Sequence, residues 1–198
     1  AADTLFRATA VRASRPPVVD GEVGEEEWAG APVFADFLQF EPRRGVPSSF
    51  RSEARLLYDS AYVYVAFKGW DPEAVTAQLT RRDADLVNDD VFVLVLDTYR
   101  DRQSAYVFAV NALGTQSDAR IVNDGRTTDV TWDAEWVVRS RIQEWGWSAE
   151  MAIPLTALRF QAGEARTWGV NFGRGRRRNL ELAFWAGPLD AELRVSQA

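Results

Sequence analysis

The sequence predicts an all-β fold: an antiparallel β-sandwich carrying one or two short helices. Three observations lead there. Short apolar or alternating runs recur along the whole chain, with a period of two where one face is wet. Gly, Asn, Asp and Pro punctuate the runs at regular spacing, as turns between strands require. And 198 residues of which 46% are hydrophobic suffice for one sizeable core, so the chain is read as a single domain over 1–198.

Taken in order, VFADFLQF (33–40) alternates and is read as the first strand. SEARLLYD (52–59) and YVYVAFKGW (62–70) follow, joined at Asp59-Ser60. VFVLVLD (91–97) is almost continuously apolar, as expected of a strand covered on both faces. SAYVFAVN (104–111) pairs with it, turns at 111–114, and returns as TQSDARIV (115–122) before the strong turn signal Asn123-Asp124-Gly125. AEWVVRSRIQ (134–143) and WSAEMAIP (147–154) make a hairpin about Glu144-Trp145-Gly146. Pro154 suits the first position of a short helix, PLTALRF. TWGVNFGRGRRR (167–178) and LELAFW (180–185) close the chain as a last hairpin.

Composition narrows the chemistry. A net charge of −6 argues against nucleic acid and against an anionic membrane surface as partners. Cys and His are both absent, which removes thiol chemistry, the Ser-His-Asp triad and the commonest zinc ligand. Carboxylates could pair as a glycosidase acid and base about 5–9.5 Å apart, but nothing in the sequence selects a pair. No run reaches the roughly 18 apolar residues of a membrane-spanning helix. No signal peptide is visible, and the opening AADTLF has the small residues that a removed one could leave behind.

Several motifs, in order, resemble the family 9 carbohydrate-binding modules. VDGEVGEEEWAGA is similar to that family's entry pattern, with Asp20, Gly21, Val23, Glu25, Trp28 and Ala31 in place. LLYDSAYVYVAFKGWD (56–71), NDDVFVLVLDTYRD (88–101), WSAEMAIPLTALRF (147–160), WGVNFGRGRRR and AFWAGP resemble its later segments. The resemblance runs from about residue 18 to 187 and departs at Gly24, where the family carries Asp, a good N-cap. Residues 79–124 resemble a sub-group in which the module precedes a predicted outer-membrane β-barrel. The ending LRVSQA reads as a lead-in to that barrel, which makes the chain a fragment of a longer protein.

The resemblance implies a non-catalytic, glycan-binding module of the bacterial cell envelope, on the periplasmic or cell-surface side. Sugars offer flat C–H faces to aromatic rings and hydroxyls to Arg, Asp and Asn. Trp70, Trp132 and Trp185 fall at strand ends or in loops and are the candidates for stacking; Arg81, Arg82 and Asn111 are the candidates for hydroxyls. Trp28, Trp147 and Trp168 fit core positions, Trp28 as the anchor of its segment, and Trp145 reads as an isolated exposed ring in a turn. The family often carries structural Ca²⁺. Asp83, Asp85, Asp89 and Asp90 are the oxygen ligands to consider, together with Asn88, Asn123, Asp124, Asp129 and Asp133, although no EF-hand spacing is present. An interaction or plug domain that serves the barrel without binding sugar is the rival reading. Haem, which related sandwiches hold through Met with Lys or His, is not expected, since Met151 sits in a core pattern beside the single Lys68 of another strand. The basic run Arg174-Gly175-Arg176-Arg177-Arg178 can be a phosphate contact, a docking surface, or a strand end paired with surplus acids.

Overall fold

A computed structural model describes residues 7–163 and 167–189. Among the described residues thirteen strands are formed: β1 (Val11–Arg12), β2 (Val33–Phe34), β3 (Leu38–Glu41), β4 (Ser52–Tyr58), β5 (Tyr62–Trp70), β6 (Val91–Asp97), β7 (Ala105–Asn111), β8 (Gln116–Val122), β9 (Thr127–Asp129), β10 (Val137–Gln143), β11 (Gly146–Pro154), β12 (Gly169–Arg176) and β13 (Glu181–Phe184). They make two sheets. The first runs β1-β4-β5-β11-β10, with β2 also on β4; the second runs β3-β13-β12-β6-β7-β8-β9. Every pairing is antiparallel except β1 on β4.

The sandwich forms because alternation sends one apolar set from each sheet to a shared interior. Val63, Val65 and Phe67 of β5 meet Phe92, Leu94 and Leu96 of β6, with Trp147, Ala149, Met151 and Ile153 of β11 beside them. Phe67 stacks on Phe92 at 4.4 Å, and Phe92 on Phe172 at 6.2 Å. The first sheet also buries its outer face. Residues 18–32 lie across it, and Trp28 packs with Val23, Leu57, Tyr64, Ala66 and Ala152.

Three readings of the sequence are corrected. VFADFLQF is not one strand: Asp36 takes a left-handed backbone (φ 60), and the chain crosses there from the first sheet to the second. Phe34 and Phe37, on either side of the crossing, both reach the core. The short helices are single 3-10 turns, at Leu86–Asn88, Leu155–Ala157 and Arg177–Asn179, the second of them within PLTALRF directly after Pro154. Around Trp28 there is a turn, begun without a capping side chain at Gly24 and ended by Gly30 at φ 79. The strand expected over 134–143 begins only at Val137, because Trp136 turns into the core and gives its indole N–H to Asp118 at 2.9 Å. β1 and β9 had no signal of their own. Among the described residues no helix is long and apolar enough to cross a membrane. The segments AADTLF and LRVSQA lie outside the described residues.

Candidate functional site

At one end of the sandwich the chain turns at 41–51, 70–90, 143–146 and 176–181, and the second and third of these turns bring two Trp residues together. The registers Ser52 with Gly69 and Gly146 with Trp70 set residue 51, Trp70 and residue 145 side by side across β4, β5 and β11. Trp70 shares the outer face of β5 with Lys68, Ala66 and Tyr64, by alternation. The Trp70 and Trp145 rings touch, with centroids 5.3 Å apart and planes tilted by 37°. The Arg51 guanidinium lies 4.3 Å from the centre of the Trp70 ring. Both Trp rings are half-buried, so each keeps solvent-facing surface. Trp145 is therefore not an isolated ring. It and Trp70 form an aromatic ledge with an Arg on one flank.

The ledge stands on a buried ionic base. Asp71, next to Trp70, donates its backbone N–H to the Trp145 carbonyl at 2.9 Å, which ties the two turns together. Its carboxylate receives two bonds from Arg176, Nε at 2.6 Å and Nη2 at 2.9 Å. Burial works to raise the Asp71 pKa, but Arg176, the Glu73 N–H and Arg174 together outweigh it and hold the carboxyl below its usual range. Arg174 donates to the carbonyls of Arg51 and Trp70 and to Ser52 Oγ, so it fastens β12 of one sheet to the β4 and β5 ends of the other. Burial pushes the Arg174 pKa down while Asp71 and Asp90 oppose it. The basic run is thus split by alternation: Arg174 and Arg176 point inward and are paired, whereas Arg177 and Arg178 face solvent.

Gly146 is needed at the hinge of the ledge. Its φ is 142, and a Cβ there would lie 2.1 Å from the Gly69 carbonyl oxygen and 3.0 Å from Trp70 Cα. Gly146→Ala is expected to cost more than about 1 kcal/mol and to loosen the Trp70–Trp145 contact, read by urea denaturation and Trp fluorescence. An unchanged midpoint and spectrum would refute this.

The other predicted residues are placed elsewhere. Trp132 packs on Tyr106 at 4.9 Å and Phe108 at 5.8 Å as a lid on the core. Trp185 meets Phe34 edge-on at 4.8 Å and Phe172 at 6.1 Å. Asn111 is 0% exposed, and all four of its side-chain hydrogen-bonding positions are taken. Its amide donates to Leu79 O and Asp89, and its oxygen accepts from the N–H groups of Leu113 and Thr115. Such an Asn positions a loop and has nothing left for a sugar hydroxyl. Arg82 is fastened to Asp118 at 2.8 Å, Asp133 at 2.6 Å and the Ala134 carbonyl at 2.7 Å. Arg81 is exposed, with its carbonyl closing the turn to Ala84. Trp28 is 1% exposed and gives its indole N–H to Glu150 at 2.8 Å.

In the acidic loop the carboxylates are taken up by protein donors. Asp85 caps its own turn through the Val87 N–H. Asp89 accepts from the Gln78 and Leu79 N–H groups, and Asp90 from those of Thr76 and Arg177. Asp83 faces Arg82 at 3.4 Å. These carboxylates serve the loop backbone, and burial raises the Asp90 pKa. Among the described residues, no three acidic groups converge in a way that could hold a metal ion. Met151 points into the core, while Lys68 sits on the opposite face of the same sheet and pairs with Glu25 at 2.7 Å.

No protein-family model matches the chain. No curated protein matches it either. Solved structures do. A family 9 carbohydrate-binding module from Caldicellulosiruptor kristjanssonii in complex with glucose is 16% identical, with a TM-score of 0.70 over 96% of this chain and 91% of that one. The same module with cellotriose is 15% identical, with a TM-score of 0.68 over 95% and 89%. A candidate carbohydrate-binding protein from Bacteroides uniformis is 13% identical, with a TM-score of 0.72 over 92% and 90%. At such identities the likeness is one of architecture, and the chain has the β-sandwich fold of the family 9 carbohydrate-binding modules.

Proposed function

We propose that this chain is a non-catalytic carbohydrate-binding module and that it holds glycan on the Trp70–Trp145 ledge. The observation that carries the reading is the ledge itself: two touching, part-exposed Trp rings at a sheet end, braced from below by Asp71 and Arg176. Stacking of a sugar face needs a rigid apolar plane with one side free, and a buried ion pair beneath the turn supplies the rigidity. With centroids 5.3 Å apart the two rings leave no slot for a sugar between them, so the sugar lies on the ledge rather than inside a clamp. Hydroxyls are met from the flank by Arg51. The fold shared with glucose-bound and cellotriose-bound modules supports the choice of ligand class. The resemblance of residues 79–124 to cell-envelope proteins supports an exported setting, with a membrane barrel as neighbour in the longer protein.

Trp145→Ala tests the site. The ring is half-buried in a hairpin turn, so its removal is expected to lower stability by only about 1 kcal/mol. Binding to cellotriose, or to whichever glycan an array identifies, is expected to fall at least about tenfold. Full retention of binding by Trp145→Ala would move the site elsewhere. An array on which the folded wild type binds nothing at millimolar glycan would end the carbohydrate reading.

A further inference from the structure

The flank of the ledge carries an uncompensated positive charge, delivered by a chain of ion pairs across the outer face of the first sheet. Glu25 is shared by Lys68 at 2.7 Å and Arg55 at 3.0 Å. Glu53 is shared by Arg55 at 3.8 Å and by Arg51. Three cations thus stand on two carboxylates. The hydrogen bonds of Lys68 and then Arg55 hold Glu25 below its ordinary pKa, so it counts as one full negative charge in that tally at neutral pH. The surplus is not spread evenly. Arg55 and Lys68 are 14% and 16% exposed, but Arg51, the end of the chain of pairs, is 65% exposed. It is also the member that lies on Trp70.

The far side of the ledge is closer to balance. Arg174, Arg176 and Arg178 share Asp71 and Glu73, and Arg177 is exposed beside them. Two further acids, Asp90 and Glu181, are buried there. Asp90 takes the N–H groups of Thr76 and Arg177; Glu181 takes Ser48, Ser49 and Asn179. The exposed cation on the ledge is therefore Arg51.

We infer that the ledge selects an acidic glycan, one whose sugars bear carboxylates, as a polyuronate does. This rests on the glycan reading above and names the ligand class for the same site. The Arg51 guanidinium lies on Trp70 with one nitrogen bonded to Glu53, and its remaining N–H groups are of the kind that meet a carboxylate in a charge-assisted contact. A uronate ring on the neighbouring Trp145 then meets an aromatic plane and a fixed cation together, whereas a neutral hexose meets the plane alone.

The test is calorimetric titration of the protein with tri-galacturonate and with cellotriose, each at about 20 and 200 mM NaCl. The uronate trimer is expected to bind about tenfold more tightly at low salt, as one added charge-assisted contact allows, and to lose most of that margin at high salt. Arg51→Gln is expected to bring the ratio of the two affinities close to one, and Arg51→Lys, which keeps the charge without the guanidinium, to leave an intermediate ratio. Equal affinity for both trimers in the wild type overturns the acidic preference and leaves the glycan reading standing. A preference untouched by salt and by Arg51→Gln overturns the assignment to this flank. Binding of neither trimer, with a positive result for no other glycan, overturns both.

Discussion

Trp28→Ala is expected to lower the free energy of unfolding by about 3–5 kcal/mol, the range for deleting a buried aromatic ring. The indole is 1% exposed and fills the space between residues 18–32 and the outer face of the first sheet, against Val23, Leu57, Tyr64, Ala66 and Ala152. It also donates to Glu150, whose carboxylate is buried and further held by the N–H groups of Asp20 and Gly21. Burial raises the Glu150 pKa and the Trp28 bond opposes that rise. Trp28→Phe separates the two effects. It keeps most of the packing, loses the donor, and is expected to cost about 1–3 kcal/mol. The sign of its pH dependence follows. A carboxyl whose folded pKa lies above 4.5 favours folding less as pH rises through that value. Loss of the donor lifts the folded pKa further, so the penalty of Trp28→Phe should be larger at pH 8 than at pH 5. Urea denaturation of both variants at the two pH values checks this; equal penalties at both would refute the role given to Glu150.

Asp71→Asn is expected to be as severe, about 3–5 kcal/mol, because it strips the charge from one side of a buried pair and leaves Arg176 and Arg174 short of an anion. The wild-type pair also carries a pH signature. The unfolded Asp71 has its ordinary value of 3.8, and the folded one lies below it. The stabilisation is thus complete above the unfolded pKa and is lost as pH falls through the folded one. The stability difference between wild type and Asp71→Asn should be flat from about pH 5 to 8 and should shrink below about pH 4. A difference independent of pH down to the acid transition would show that Asp71 is not held by its charge. Because the Asp71 carboxylate holds Arg176 beneath the ledge, the variant is also expected to weaken glycan binding more than any loss of folded protein explains.

The sandwich was legible in the sequence for a local reason. In β5, β6, β7, β8 and β11 the side-chain alternation and the turn residues are properties of consecutive residues, and the boundaries expected from them fall within a residue or two of those observed. Where a strand owes its existence to a distant partner, the pattern was silent or misleading. β1 is two residues long and forms because β4 offers it an edge, and VFADFLQF alternates like one strand yet divides between the two sheets at Asp36.

The candidate site shows the same division more sharply. By itself, the sequence determined which residue types are available: Trp at strand ends, Arg in excess over Lys, no His and no Cys. It could single out Trp70 because a Trp closing an apolar strand beside Asp is visible locally. It could not relate Trp70 to Trp145 or Arg51, which lie 75 and 19 positions away by the numbering. Only the pairing of β5 with β4 on one side and β11 on the other sets those three side by side. Nor could it tell that Asn111, polar and at a strand end, spends all its hydrogen bonds on Leu79, Asp89, Leu113 and Thr115, or that two Arg of a basic run turn inward. Burial and partnership are relations between distant parts of the chain. The strand pattern follows from short-range sterics and hydrophobicity, but the ledge, its ionic base and its surplus charge exist only once the sheet register is set.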